Sequence, residues 1–147
     1  MQSAPLVWVL DDSPGETEAI LRALTSACRV VTFTDGAALL EALGVGPMPD
    51  VLVLDWYLPG MTGLEVCRFV RQASATALLP VLLLTVNTRA SDVVEAMSAG
   101  AHDYVFKPFR PMELQARVTA LASHERKRRQ QLEDERARRL LAEGTLT

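Results

Sequence analysis

Four short apolar runs in this chain each end in a side chain that can take part in chemistry. The runs are residues 6–10 before Asp11 and Asp12, residues 51–54 before Asp55, residues 81–84 before Thr85, and residues 103–106 before Lys107. Unbroken runs of this length, rich in Val and Leu, are typical of strands buried on both faces of a parallel sheet. Because parallel strands end at one edge, the pattern predicts that three carboxylates, a hydroxyl and an ammonium converge in one crevice.

Strand-like and helix-like segments alternate five times, which is the pattern of a doubly wound α/β sheet with helices on both faces. The predicted strands cover residues 6–10, 29–33, 50–55, 80–84 and 103–106, and the predicted helices cover residues 14–27, 37–43, 63–73, 91–98 and 111 onward. Ser13 and Thr62 each stand before a helix and are followed three residues later by Glu16 and Glu65, a spacing that forms a capping box.

A chain of 147 residues with 49% hydrophobic but only 5% aromatic residues is long enough for one domain with an aliphatic core. Its apolar runs are too short to span a bilayer, and no cationic segment precedes the first one, so neither a membrane span nor a signal peptide is predicted. Cys28 and Cys67 lack CxxC spacing, which favours buried free thiols in a reducing compartment over a disulfide or a metal pair. We therefore expect a cytoplasmic protein without membrane association.

The net charge of −3 is unevenly distributed along the chain. Residues 1–123 carry 8 basic and 13 acidic side chains, whereas residues 124–147 carry 7 basic and 5 acidic ones. Nucleic-acid binding needs clustered Lys and Arg, so the excess of acidic side chains in residues 1–123 argues against direct nucleic-acid binding by this domain. The only lysines are Lys107 and Lys127, and Lys107 follows the last strand, where a compact ammonium is useful.

The last predicted helix continues beyond the core. The sequence divides into a domain at residues 1–123 and a charged helical extension or linker at residues 124–147. Three acid-first pairs at i,i+4 spacing support a solvated helix there: Glu125–Arg129, Asp134–Arg138 and Glu135–Arg139. A solvated single helix and a stalk for dimerisation both stay open, because Leu132 is almost the only apolar residue at a heptad position after residue 121.

Three carboxylates close together repel one another, and a hard divalent cation relieves that repulsion. We expect Mg²⁺ there, with Mn²⁺ as a possible substitute. Asp12 and Asp55 are the predicted direct ligands, Asp11 is expected to act through a water molecule, and the backbone carbonyl of Tyr57 could complete the protein's share.

With a cation present, Asp55 becomes a usable nucleophile toward a phosphoryl group and would form an aspartyl phosphate. Thr85 and Lys107 would then contact the phosphoryl oxygens, one through its hydroxyl and the other through its charge. Each of these residues alone is unremarkable, since Asp after a strand is a common turn residue. Their joint placement at the ends of separate buried strands is what favours a site.

At this point a family resemblance is visible. The segments that carry it are Asp11-Asp12, LDWYLPGMTG at residues 54–63, Leu84-Thr85 and AGAHDYVFKPF at residues 99–109. Residues 6 to about 122 resemble the receiver domain of bacterial two-component response regulators. The resemblance implies a flavodoxin-like parallel sheet in the order 2-1-3-4-5 and phosphorylation of Asp55 by a histidine kinase or a histidine phosphotransfer protein.

The resemblance also implies a conformational switch in which Thr85 moves toward the phosphate and Tyr104 turns inward. The face formed by the fourth helix, the fifth strand and the fifth helix would then engage a partner, and a homodimer formed through this face and the C-terminal helix is one candidate. Such a module catalyses its own phosphorylation and dephosphorylation but is not otherwise an enzyme. Val86 and Tyr57 are bulkier than is usual at their positions, so the switch is expected to be small.

Two other functions are compatible with the same fold. A receiver-like interaction module without phosphorylation is disfavoured because all the site residues are present. A Mg²⁺-dependent phosphatase usually needs a second acid two residues after the nucleophile, where this chain has Tyr57. His102 and His124 are isolated histidines and do not supply the missing acid. The cognate kinase, and whether further domains follow residue 147 in the natural protein, are not given by the sequence.

Overall fold

The structure, a computed structural model, describes residues 3–144. The strands are β1 (Leu6–Leu10), β2 (Arg29–Phe33), β3 (Val51–Asp55), β4 (Val81–Thr85) and β5 (Asp103–Phe106). The helices are α1 (Pro14–Leu24), α2 (Gly36–Leu43), α3 (Gly63–Gln72), α4 (Ala90–Ser98) and α5 (Pro111–Ala142). The strands pair in parallel in the order β2-β1-β3-β4-β5, which confirms the predicted doubly wound fold.

The central strands β3 and β4 are buried along their whole length because helices cover both faces of the sheet. Successive residues of a strand point to opposite faces, so Leu52 and Leu54 enter one core while Val51 and Val53 enter the other. Helices α2, α3 and α4 contribute to the first core, and α1 and α5 contribute to the second. The unbroken apolar runs in the sequence therefore reflect burial on both sides.

Polar side chains cap α1, α2 and α3, at Ser13, Asp35 and Thr62. The capping box predicted for α1 is only half formed, because the backbone N–H of Ser13 donates to Asp11 instead of Glu16. The capping box of α3 is complete, since Thr62 accepts a hydrogen bond from the backbone of Glu65 and the Glu65 carboxylate accepts one from the backbone of Thr62. Gly63 lies so close to the backbone carbonyl of Asp55 that a Cβ atom there would clash with it. A glycine at this position therefore lets α3 begin directly beside the end of β3. Helix α1 ends at Leu24, three residues earlier than predicted, in a turn that leads to β2.

The helix α5 has 32 residues and confirms the predicted C-terminal helical extension. Residues 130–139 are exposed, as expected for a solvated segment. The expectation is wrong for the first turn of the extension, where the side chain of Glu125 is only 2% exposed. Of the three predicted i,i+4 pairs, the described residues show Glu125–Arg129 and Glu135–Arg139, whereas Asp134 accepts a hydrogen bond from Gln130.

The buried turn of α5 is tied to the start of β3 by a group of charged residues that we call the base clamp: Asp50, Glu125, Arg126 and Arg129. Arg126 lies 3.2 Å from Oδ2 of Asp50 and Arg129 lies 3.1 Å from Oδ1 of the same carboxylate. Arg129 also donates to Glu125 at 2.9 Å. The packing of α5 on the body therefore continues to Arg129, six residues beyond Ser123.

Two further sequence predictions concern the cysteines and the membrane. Cys28 and Cys67 are both buried and free, as expected. Within residues 3–144, no helix combines the length and the hydrophobicity that a membrane crossing requires.

Candidate functional site

The predicted site residues lie at the ends of four neighbouring strands, or directly after them, at one edge of the sheet. The register aligns Leu10 with Leu54 and Asp55 with Leu84, so the residues after β1 lie beside the end of β3. Side-chain oxygens of Asp11, Asp12 and Asp55 all lie within 4.8 Å of one another. The predicted convergence of three carboxylates is therefore present in the structure.

Lys107 directly follows β5 and adds a positive charge to this acidic cluster. Its Nζ atom donates to Oδ1 of Asp55 at 2.7 Å and to Oε2 of Glu16 at 2.8 Å. The backbone N–H of Lys107 donates to the carbonyl of Thr85 at 2.8 Å, which fixes the loop after β5 against the end of β4. Glu16 is a site residue that the sequence analysis treated only as a helix cap.

Burial controls the electrostatics of the carboxylates. Burial raises the pKa of Asp11 to about 7, assisted by the nearby charges of Asp55 and Glu16, although a hydrogen bond from the backbone of Ser13 opposes the shift. Burial likewise raises the pKa of Asp55, against the opposing effect of Lys107. Crowded, partly desolvated carboxylates with raised pKa values are a common feature of functional sites.

The ion pair between Lys107 and Glu16 favours the charged forms of both groups. The hydrogen bond from Lys107 lowers the pKa of Glu16, so this carboxylate is ionised. Burial disfavours the charged form of Lys107, but the hydrogen bonds to Asp55 and Glu16 outweigh it and raise the pKa of the ammonium. The cluster therefore holds one firmly charged cation among four acidic side chains.

The residues present fit a divalent cation. Oδ2 of Asp11 is buried and has no hydrogen-bond partner, which is costly for a carboxylate oxygen unless a cation or water satisfies it. Asp12 is exposed beside it, so a cation could reach the cluster from solvent. Oxygen-rich sites built from carboxylates suit Mg²⁺, which keeps several water ligands.

Thr85 and Tyr104 lie where the sequence analysis placed them, one at the end of β4 and the other on β5. Thr85 is 2% exposed, and its hydroxyl accepts a hydrogen bond from the backbone of Asn87 at 2.9 Å. Tyr104 is half-buried and packs edge-on against Phe106, with ring centroids 5.0 Å apart.

Asn87 is a second residue that the sequence analysis missed. The hydroxyl of Tyr57 donates to Oδ1 of Asn87 at 3.0 Å, so Tyr57, Asn87 and Thr85 form a chain of contacts across the edge of the site. The Tyr57 ring is more than half exposed, and the role of its backbone carbonyl as a metal ligand stays a prediction.

A cleft of about 500 Å³ opens beside the site, between α1 and the loop that connects β5 to α5. Asp11, Glu16 and Lys107 form its polar end. The rest of its lining is mostly apolar and includes Ala19, Ile20, Val86, Pro108, Phe109 and Pro111. The cleft thus offers an apolar surface that leads directly to the carboxylate cluster.

Comparison with known proteins agrees with this geometry. A family model described as the response regulator receiver domain matches residues 7–119. The DNA-binding response regulator MtrA of Mycolicibacterium smegmatis is 40% identical over 115 residues, which are 78% of this chain and 49% of MtrA. The phosphate regulon transcriptional regulatory protein PhoB of Rhizobium meliloti is 49% identical over 74 residues, which are 50% of this chain and 33% of PhoB. The chain spans about half or less of these two relatives.

Solved structures with the same fold include the BeF3-activated receiver domain of DrrB from Thermotoga maritima, with a TM-score of 0.73 and 32% identity. That match covers 82% of this chain and 99% of the DrrB chain. The chemotaxis protein CheY4 of Vibrio cholerae has a TM-score of 0.73 and 30% identity, and the match covers 81% of this chain and 99% of CheY4. The family model, the relatives and the fold agree, and the chain therefore belongs to the response regulator receiver domains of two-component systems.

Proposed function

We propose that this receiver domain accepts a phosphoryl group on Asp55 from a histidine kinase or a histidine phosphotransfer protein. The observation that carries the proposal is the position of Asp55, whose side chain is 6% exposed, 2.7 Å from Lys107 and within the carboxylate cluster. Treatment with a small phosphodonor and Mg²⁺, followed by mass spectrometry, tests it. One added phosphoryl group per chain is the expected result.

The transfer uses groups that the site already brings together. An oxygen of Asp55 attacks phosphorus, the P–N bond to the donor histidine breaks, and the imidazole keeps the electron pair and takes up a proton. Lys107 and the hydroxyl of Thr85 hold phosphoryl oxygens. Asp12 and Asp55 would bind Mg²⁺ directly, with Asp11 acting through water and the carbonyl of Tyr57 completing the set. Bound Mg²⁺ supplies positive charge that offsets the repulsion among carboxylate and phosphoryl oxygens.

The cleft beside α1 is where we place the phosphodonor. A helix that carries the donor histidine can lay an apolar face against Ala19, Pro108 and Phe109 while its imidazole points to the polar end of the cleft. Lys107 lines the polar end of the cleft and lies 2.7 Å from Asp55, so a donor imidazole at that end would approach the acceptor carboxylate. This placement also accounts for an apolar lining next to a strongly charged site.

Phosphorylation is proposed to act through Thr85 and Tyr104. Moving the Thr85 hydroxyl toward a phosphoryl group breaks its contact with Asn87 and thereby disturbs the contact of Asn87 with Tyr57. Tyr104 would then turn inward from its present position against Phe106. The changed face formed by α4, β5 and α5 is the surface that we assign to a partner or to a second copy of the chain.

We propose no direct nucleic-acid binding by this segment, because its relatives named as DNA-binding regulators are longer and residues 1–123 are predominantly acidic. A cytoplasmic location is also proposed, in keeping with the free buried thiols.

The first site prediction concerns the metal. Asp11→Ala should weaken Mg²⁺ binding by about 10–100-fold, the range for a residue that acts through another ligand, and Asp12→Ala should weaken it more. The physical reason is that Asp12 loses a direct coordination bond as well as a charge. Quenching of Trp56, which follows Asp55 and stacks on Tyr57 at 6.3 Å, gives the titration signal.

The control for net charge is Asp35→Asn, at an exposed carboxylate that caps α2, because Asn caps a helix as well as Asp does. Equal losses of Mg²⁺ affinity in the two alanine variants would show that the assigned order of Asp12 and Asp11 is wrong.

The second prediction concerns association. Val94 and Met97 on α4, Phe106 on β5 and Met112 on α5 are exposed apolar residues, and we expect them to supply most of a dimer contact through the α4–β5–α5 face. Truncation after Gln130, which keeps the base clamp, should therefore leave most of any phosphorylation-dependent dimerisation in place. Sedimentation of both lengths, with and without beryllofluoride as a phosphoryl mimic, measures it. If both lengths stay monomeric in both states, the dimer proposal is wrong.

A further inference from the structure

Glu16 reaches the site from a different element than the other carboxylates. It occupies the third position of α1, and its backbone N–H is held by the hydroxyl of Ser13. The backbone of Ser13 in turn donates to Oδ1 of Asp11 at 2.8 Å. The start of α1 is therefore anchored to the carboxylate cluster, and this anchoring places the Glu16 side chain next to Lys107.

Lys107 is consequently shared between two carboxylates. An ammonium has three N–H donors, and two of them are taken by Asp55 at 2.7 Å and by Glu16 at 2.8 Å. The Lys107 side chain is only 14% exposed, so it has little freedom to leave this position. When Asp55 carries a phosphoryl group, the phosphoryl oxygens and Glu16 compete for the same ammonium.

We propose that Glu16 is a positioning residue: it occupies one N–H donor of Lys107 that the phosphoryl group would otherwise use, and it thereby shortens the lifetime of the phosphorylated state. The inference rests on the proposed phosphorylation of Asp55. Two effects act in the same direction. Glu16 keeps a strong, charge-assisted hydrogen bond from Lys107, and its own negative charge repels a phosphoryl dianion a few ångströms away.

The decay step that Glu16 influences is hydrolysis of the aspartyl phosphate. Water attacks phosphorus, the bond between phosphorus and the Asp55 oxygen breaks, and the electron pair returns to the carboxylate while a proton from the water passes to solvent. An ammonium held firmly on the phosphoryl oxygens stabilises the phosphorylated state. Weakening that hold favours the free carboxylate, whose bond with Lys107 then re-forms.

Exposure limits the size of the effect. The Glu16 side chain is 43% exposed, so it can turn toward water when the phosphoryl group arrives. Removing one partly exposed charge should change the decay rate by about fivefold, in keeping with the modest strength of solvated ion pairs.

The test compares Glu16→Gln with Glu18→Gln in the full chain. The first substitution keeps the shape of the side chain and removes its charge. The second makes the same charge change two residues along α1, where Glu18 pairs with Arg22 at 2.8 Å instead of Lys107. Each protein is labelled with a small phosphodonor and Mg²⁺, the donor is removed, and the loss of the phosphoryl group is followed. Glu16→Gln should retain the label about five times longer than wild type, and Glu18→Gln should match wild type.

A second readout needs neither metal nor phosphate. The chain has only two lysines, so the side-chain ammonium of Lys107 can be followed by ¹⁵N NMR with Lys127 as the internal reference. Replacing the charge-assisted bond to Glu16 by a weaker, neutral one to the amide oxygen of Gln should speed hydrogen exchange at Lys107 in Glu16→Gln but not in Glu18→Gln. An unchanged Lys107 signal would show that the shared ion pair does not form in solution, and this would overturn the inference.

The outcomes separate the inference from the function on which it rests. Wild-type protein that takes up no phosphoryl group would overturn the proposed function and the inference with it. Wild-type protein that is labelled, with equal or faster decay in Glu16→Gln, would leave the function standing and overturn the role of Glu16.

Discussion

Asp55→Asn should abolish phosphorylation of this receiver domain by small phosphodonors and by a phosphohistidine partner. The substitution keeps the size and most hydrogen bonds of the side chain but removes the anionic oxygen that attacks phosphorus. Asp11 and Asp12 follow the end of β1, and Lys107 pairs with Asp55 and Glu16 rather than with either of them. Mass spectrometry after treatment with the donor and Mg²⁺ gives the result directly.

The control for this experiment is Asp35→Asn, which should be labelled like wild type. The fold should survive the Asp55 substitution. The pKa of Asp55 is raised above its usual value, chiefly by burial, so its ionised form opposes folding at neutral pH, and removing the charge should not lower the unfolding temperature. Labelling that persists at the wild-type level in Asp55→Asn would assign the phosphoryl group to another residue and refute the proposal.

The sequence predicted the strand ends because the information there is local. A buried strand must be apolar, so the first polar residue after each run, such as Asp55 or Thr85, marks the edge of the sheet where it emerges. Parallel pairing then brings those residues together regardless of their separation along the chain. The fold and the carboxylate cluster follow from these two facts.

Glu16 and Asn87 were missed because their roles depend on side-chain reach across the finished fold. Glu16 satisfies a local rule as the partner of a helix cap, and that rule gives no reason to look for Lys107, which is 91 residues away. Asn87 lies in a loop, and its contact with Tyr57 depends on how two loops meet. A carboxylate in the first turn of the helix after β1 was nevertheless a usable signal, since that turn lies at the edge of the sheet where the site forms.

The base clamp was missed for a related reason. The pair of Glu125 and Arg129 reads in the sequence as ordinary support for a solvated helix. Asp50 reads in the sequence as the first residue of a strand. Only the packed structure shows that Arg126 and Arg129 converge on one buried carboxylate and that this contact, rather than helix propensity alone, fixes the start of the extension.

Asp50→Ala should lower the free energy of unfolding by about 3 kcal/mol, because it leaves three partly buried donors, two of them charged, without their acceptor. Asp50 accepts hydrogen bonds from the backbone of Leu6 at 2.8 Å and from Arg126 and Arg129, so it joins three parts of the chain. For a domain of this size the loss corresponds to a fall of roughly 10 °C in the unfolding temperature. Calorimetry or circular dichroism measures that temperature.

The matched control is Asp134→Ala, at a carboxylate on the exposed part of α5 that accepts a hydrogen bond from Gln130, with an expected change within about 0.5 kcal/mol. Hydrogen exchange should also separate the two variants, because Asp50→Ala should increase exchange of the backbone amides near residues 124–130. Phosphorylation of Asp55 should persist, since the clamp lies at the opposite end of β3. If Asp50→Ala matched the control in stability and exchange, the clamp would not hold α5 in solution. If it behaves as expected, α5 leaves the domain in a direction fixed by β3, the strand that also carries Asp55.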